Sequence, residues 1–268
     1  MRYYNRVPNS GMNFILIPIS FLKSMQWLGQ QSWCNGKIGT FGHSYNGFTQ
    51  LMPAPLHNPY VKCLMVSSAQ QTNFGHIYND GVLQLNMVFT AGLFGAGRTI
   101  QPTISGVYGG TPILNYDELF RRLPLISALD DISDVPYVKD WIRHSKYDDY
   151  WKSYGIKEKY SEIDAPAYFI SGWYDNLLHE TFRNFKGFSE QGRSLEARKG
   201  TKILIGPWTH AINSKGEGWS ADFGSDMFID MLDLHINWYD YWLKYIKNGI
   251  DHTSFSVMQK RGDTLLMI

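Results

Sequence analysis

Apolar positions along the chain change period several times, and each change marks an element. Phe21, Leu22, Met25 and Leu28 recur at helical spacing and predict a helix over Ser20–Gln31. Asn35-Gly36 then signals a turn, Lys37–Gly42 reads as a short apolar strand, and His43–Gly47 as a sharp turn into another helix. Val61–Ser67 is almost continuously apolar, the pattern of a strand buried on both faces of a parallel sheet. Ala167–Gly172 and Thr201–Gly206 read as two more strands, with a helix predicted from Leu177 to Glu190 between them. A long helix is predicted over Ser225–Lys247, where Phe228, Met231, Leu234, Trp238, Tyr241, Trp242 and Tyr245 make one apolar face. Asp230, Asp233, Asp240, Lys244 and Lys247 make that face a core stripe, not a membrane span, and Asn248-Gly249 is the expected cap. Residues 70–150 are rich in Gly and Met, broken by Pro and without a clean strand; they predict an inserted, mostly helical excursion. Strands alternating with helices imply an α/β fold with a parallel sheet.

With 268 residues the chain is long enough for one large domain or two small ones. Its 44% apolar and 18% charged composition excludes a disordered chain. Lys+Arg 25 against Asp+Glu 24 leaves a net charge of +1, so nothing draws nucleic acid electrostatically. Aromatics at 15% suit a pocket as well as a core lined with rings. Cys34 and Cys63 are too few for a disulfide framework or a zinc site and read as two small buried thiols. No run of 18 apolar residues exists, so no membrane partner is expected. Arg2 and Arg6 before Phe14–Leu22 imitate a signal peptide, but no small-residue cleavage site follows, and compartment stays open between cytoplasm and a secreted or periplasmic location.

The richest stretch is Gly42-His-Ser-Tyr-Asn-Gly47, directly between a strand and a helix. A serine on such a turn has its hydroxyl raised at the carboxyl edge of the sheet, and flanking glycines let helix and strand backbones approach. The alternative, a dinucleotide loop built on Gly36, Gly39 and Gly42, fits poorly. Those glycines span the strand, and no acidic residue stands about twenty positions on. A serine elbow calls for an acid and then a histidine, each just past a later strand. Asp175, in Ser171-Gly-Trp-Tyr-Asp-Asn176, and His210, in Gly206-Pro-Trp-Thr-His210, stand at those two places. Taken singly, Asp175 also reads as a helix N-cap and His210 as a loop histidine. His43, beside the serine, reads as a structural bystander.

Four stretches carry a resemblance. Trp33–Gly47, Ser171–Asn176, Ile205–His210 and Trp238-Tyr-Asp-Tyr-Trp-Leu-Lys244 together resemble the cocaine esterase and X-prolyl dipeptidyl-peptidase-like hydrolases, from about Phe21 to the end of the chain. The resemblance implies an α/β-hydrolase fold and a serine hydrolase acting on ester or amide bonds without a cofactor or metal. Ser44 is the implied nucleophile, Asp175 the acid and His210 the base, with the Tyr45 backbone N–H as one oxyanion donor. It also implies a helical cap over residues 75–150 ending at Tyr147–Trp151, between core halves at 1–74 and 151–250. Residues 251–268, from Phe255–Lys260 on, are expected to begin a C-terminal β domain. Trp173, Trp208 and Tyr45 flank the implied catalytic residues and read as pocket lining or as packing. Asp148 and Asp149 read as an anionic patch for a substrate's α-ammonium group, or as acidic residues favouring a helix N-terminus.

Members of this group carry strands before the elbow, a second oxyanion donor from a tyrosine hydroxyl, and a jelly roll after the catalytic domain. The expectation is therefore a chain truncated at both ends, in which Lys37–Gly42 is an open edge that favours homo-oligomers. An impaired chain without hydrolase activity and a nucleotide-binding α/β protein are the two rival readings. The expected partner is a small-molecule ester, amide or short peptide.

Overall fold

The computed structural model describes residues 16–94, 115–132, 135–214, 223–252, 255–261 and 264–267. Residues 1–15, which hold the signal-like arginines, and much of the middle of the predicted excursion lie outside that set. In chain order the elements begin with helix α1 (Leu16–Gly29), strand β1 (Ile38–His43), α2 (Tyr45–Leu51) and β2 (Val61–Ser67). Next come α3 (Asn73–Ile77), the short strands β3 (Tyr78–Asn79) and β4 (Val82–Leu83), α4 (Leu85–Phe94), α5 (Tyr116–Leu119), α6 (Pro136–Arg143) and α7 (Asp149–Lys152). Then follow β5 (Ala167–Gly172), α8 (Leu178–Gln191), α9 (Leu195–Gly200), β6 (Lys202–Gly206), α10 (Met231–Lys244), β7 (Phe255–Arg261) and β8 (Thr264–Met267). The described chain divides into two compact units, one of residues 16–72 and 155–268, the other of residues 73–154.

The first unit is built on one sheet in the order β1-β2-β5-β6-β7-β8, parallel from β1 to β7. Alternate strand residues feed opposite cores, as the pleat dictates. Leu64, Val66, Phe169, Ile203 and Ile205 pack on one face with Leu51 from α2 and Phe188 from α8. Cys63, Met65, Tyr168, Ile170 and Leu204 pack on the other with Trp208 and Trp238 of α10. Burial pushes the Cys63 thiol far up in pKa, while Cys34 is only half-buried. This is an α/β sheet covered on both faces, the architecture of an α/β hydrolase. β1 stands at one end of the strand order among the described residues, and its Phe41 is 72% exposed.

The structure departs from the sequence reading in three places. Helix α10 starts at Met231 instead of Ser225, because Asp230 accepts the Asp233 N–H at 2.9 Å and caps it there. It ends at Lys244, where Tyr245 turns left-handed at φ 61°, so Asn248-Gly249 belongs to the following turn. Residues 255–261, expected to open a separate β domain, instead pair in parallel with β6, and β8 folds back on them.

The second unit is made of short helices around Val88, Phe89, Leu93, Val138, Trp141 and Trp151, with the β3–β4 hairpin beside them. Phe74, Tyr78 and Trp151 meet there as an aromatic cluster. No described helix of either unit is long and apolar enough to cross a membrane.

Candidate functional site

The first unit brings Ser44, Asp175 and His210 together. Ser44 joins β1 to α2 with φ 56° and ψ −122°, a left-handed backbone that a non-glycine residue holds only under tertiary constraint. The constraint is visible: the Ser44 N–H donates to the Ser67 carbonyl at 2.9 Å, continuing the β1–β2 ladder, while its own carbonyl accepts the Phe48 N–H at 3.0 Å. Strand and helix therefore touch. A Cβ on Gly42 would lie 2.4 Å from the Asn46 carbonyl oxygen, and one on Gly47 would lie 2.8 Å from the Ala69 Cβ. Beneath the turn, buried Gln50 accepts from the Thr40 hydroxyl and donates to the Met65 carbonyl at 3.0 Å, tying α2 to both strands. Tyr45 opens α2, its ring 41% exposed and its hydroxyl pushed up in pKa by burial. Gly39 and Gly42 lie within β1 and Gly36 in the turn before it, which is no post-strand phosphate loop.

Asp175 and His210 meet because β5 and β6 are in register and the loops that leave them are knitted together. Gly172 pairs with Gly206; beyond that pair the Trp173 N–H donates to the Gly206 carbonyl and the Tyr174 N–H to the Trp208 carbonyl, at 2.9 and 3.0 Å. Two anchors fix the His210 loop. The Trp208 indole N–H donates to the Met227 carbonyl at 2.7 Å, and the Asn213 side chain bonds the Ile229 backbone in both directions. His210 Nε2 then lies 2.8 Å from Ser44 Oγ, and its Nδ1 lies 3.0 Å from Asp175 Oδ1. Asp175 is fully buried at its side chain. Burial pushes its pKa up, but hydrogen bonding, from His210 first and with the Leu177 N–H, outweighs that, and the carboxyl sits below its ordinary value. The Ser171 hydroxyl adds a bond to Oδ2 at 3.1 Å. Asp175 is not the N-cap of α8, which is Leu177; its Oδ1 instead accepts the Leu177 N–H in the turn before the helix and also meets His210.

The other expected residues separate. Trp208 is fully buried in the core, so it is a packing residue and an anchor, not pocket lining. Trp173 is 45% exposed beside Asp175, its indole near the Met258 carbonyl. Asp148 and Asp149 belong to the second unit. Asp148 caps α7 by accepting the Tyr150 N–H and contacts His144 Nδ1 at 2.6 Å, while Asp149 pairs with Lys152. Both therefore have the helix-terminal role.

The His43 ring, read from the sequence as a structural bystander, lies 4.7 Å from the His210 ring, centroid to centroid. Ser171 and Asn213 were missed, although Ser171 stands in the same run as Asp175. The described residues contain no group of three or more His, Cys, Asp or Glu able to hold a metal.

Comparison with known proteins agrees with this fold. The cocaine esterase of Rhodococcus sp. (strain MB1 Bresler) is 23% identical over 223 residues, covering 75% of this chain and 36% of the esterase. The crystal structure of an aminopeptidase from a marine sediment Thaumarchaeota archaeon superposes with a TM-score of 0.70 at 16% identity, over 97% of this chain and 43% of that one. An α-amino acid ester hydrolase does so with 0.63 at 18% identity, over 91% and 40%. The chain thus spans about a third to two fifths of the length of the relatives it matches. The family model for X-Pro dipeptidyl-peptidases of the S15 type matches residues 19–212, from α1 through the serine turn to the His210 loop, and the chain belongs to that hydrolase family.

Proposed function

We propose that the chain is a serine hydrolase that cleaves ester or amide bonds of small molecules or short peptides through an acyl-enzyme. The single observation behind this reading is the unbroken line from Ser44 Oγ to His210 Nε2 at 2.8 Å and from His210 Nδ1 to Asp175 at 3.0 Å, at the carboxyl ends of three strands of one sheet. In this reading Ser44 Oγ attacks the carbonyl carbon while His210 Nε2 accepts its proton. The imidazolium is paired with buried Asp175, which fixes the tautomer and offsets the new charge. The Tyr45 N–H donates to the developing oxyanion. His210 returns the proton to the departing alcohol or amine, and water, deprotonated by the same imidazole, releases the acid. The low pKa of Asp175 supports this role, because the carboxylate stays charged throughout.

The test is covalent labelling. A fluorophosphonate probe is expected to modify Ser44 and no other serine, and the Ser44→Ala variant to lose both labelling and p-nitrophenyl ester turnover. A label found on another serine, or ester turnover equal in Ser44→Ala, overturns the assignment.

A further inference from the structure

We propose that a cavity at the amino edge of the main sheet, where α9, α10 and β6 meet, is a binding site for a small organic carboxylate with an apolar body. The proposal does not depend on the hydrolase reading above.

The cavity has a volume of about 320 Å³, and its walls include Leu195 of α9, Lys202 of β6, Trp238 and Trp242 of α10, and Ile250 and Asp251. Lys202 is the first residue of β6 and His210 lies beyond its last. The length of that strand, five residues at about 3.3 Å each, therefore separates the cavity from the serine turn.

Three donors here lack the acceptors that burial demands. The indole N–H groups of Trp238 and Trp242 are both buried, and neither has a hydrogen-bond partner among the described residues. The fully buried indoles of Trp151 and Trp208 differ in this respect, for they donate to the His144 and Met227 carbonyls. The Cζ2 edge of the Trp242 ring, next to its N–H, faces Gly200, itself a wall of the cavity. Lys202 is 2% exposed, yet its ammonium, with three donors, reaches one acceptor among the described residues, the Asp251 carbonyl at 3.1 Å. Burial lowers the Lys202 pKa more than the charge of Asp251 raises it. A buried donor without a partner costs stability until a ligand or an ordered water takes the bond.

The walls set the class of ligand. Two N–H groups and one ammonium suit the two oxygens of a single carboxylate, while the indole rings, Leu195 and Ile250 suit an apolar body. Charges at the cavity narrow the choice further. Lys199 adds a cation, but Glu196 and Asp251 are carboxylates, the second accepting from the Tyr241 hydroxyl at 3.1 Å. Those two carboxylates oppose a dianion such as phosphate more strongly than a monoanion.

The test is a titration of the full chain, carrying ¹⁵N in its tryptophans, with phenylacetate. Trp238→Phe and Trp242→Phe assign the two indole N–H signals. Both signals are expected to move downfield and to saturate together as each N–H gains an anionic acceptor. Phenylacetamide, similar in shape but uncharged, is expected to bind at least about tenfold more weakly. Lys202→Met keeps the side-chain stem and is expected to weaken phenylacetate by about 10- to 100-fold, with the Trp151 and Trp208 signals unmoved; Lys202→Gln replaces it if the Met variant does not fold. Inorganic phosphate is expected to leave the Trp238 and Trp242 signals in place. The absence of a saturable shift at both indoles overturns the proposal and leaves the cavity to water. Equal binding of the amide, or unchanged binding to the Lys202 variant, overturns it too. A phosphate shift matching that of phenylacetate overturns the carboxylate class, and a shift confined to Trp173, beside Asp175, overturns the location.

Discussion

Each of the two units of this chain holds a close histidine–aspartate pair, and the two pairs share a contact but not their surroundings. In the second unit His144 Nδ1 meets Asp148 at 2.6 Å; in the first, His210 Nδ1 meets Asp175 at 3.0 Å. The shorter contact is the less consequential one. Asp148 is 43% exposed at its side chain and caps α7, and His144 stacks on Tyr150 at 4.3 Å. Hydrogen bonding to His144 holds the Asp148 carboxyl below its ordinary value, as His210 helps to do for Asp175. What distinguishes the pairs is the far side of the ring and the surroundings of the carboxylate. His210 has a serine hydroxyl on Nε2, and Asp175 is fully buried at its side chain with the Leu177 N–H and the Ser171 hydroxyl also donating to it. A short distance and a lowered pKa therefore do not mark a candidate site; burial of the carboxylate and a hydroxyl on the second ring nitrogen do.

The largest expected effect separates the pairs directly. Asp175→Asn leaves the volume intact but removes the charge and the tautomer control, and a loss of about 10⁴-fold in kcat is expected. A loss under tenfold would mean that another carboxylate orients His210. The same residue carries a stability signature. Its folded pKa is depressed, so its contribution is present above the unfolded carboxyl pKa, near 4, and is lost as pH falls through the lower folded value. Thermal midpoints of the wild type are expected to drop on that acid side more steeply than those of Asp175→Asn. Parallel curves would show that the charge does not contribute to folding.

The next effect concerns Trp208, which the sequence could not sort. An aromatic residue two positions before a histidine has the same local signature whether it lines a pocket or fills a core. The structure gives it no exposed surface and a bond to the Met227 carbonyl. Trp208→Ala is thus expected to cost about 3–5 kcal/mol of stability, measured by chemical denaturation. A raised KM with unchanged stability would return Trp208 to the pocket.

The same distinction explains what was legible. That Ser44, Asp175 and His210 come together could be read because of local backbone geometry: glycines where strand and helix touch, and polar residues just past the ends of neighbouring strands. The strands Val61–Ser67 and Ala167–Gly172 matched to the residue, since burial on both faces leaves a continuous apolar run. The contact of His43 was not legible, because it is made with a ring 167 positions away in sequence. Nor was the pairing of β7, because a strand's own pattern does not name its neighbour. In the second unit α3, α5 and α7 are four or five residues long, too short for a helical period to register. The departure of α10 is of a third kind. Its periodicity continues upstream to Phe228, but Asp230 competes for the backbone and sets the start.

The smallest expected effect tests the other pair. Asp148→Ala removes an N-cap from a helix of four residues and the carboxylate partner of His144. A modest fall in thermal midpoint is expected, because the cap satisfies the Tyr150 N–H that the helix itself cannot. Hydrolysis of a p-nitrophenyl ester without an amino group should stay within about threefold of wild type. The discriminating substrate is an α-amino ester. A carboxylate that received the substrate's ammonium group would raise KM for the amino ester alone when removed, with kcat and the plain ester untouched. A carboxylate engaged in capping affects both esters alike. Equal, small changes for the two esters are therefore expected, and a selective rise in KM for the amino ester would make Asp148 part of the binding site.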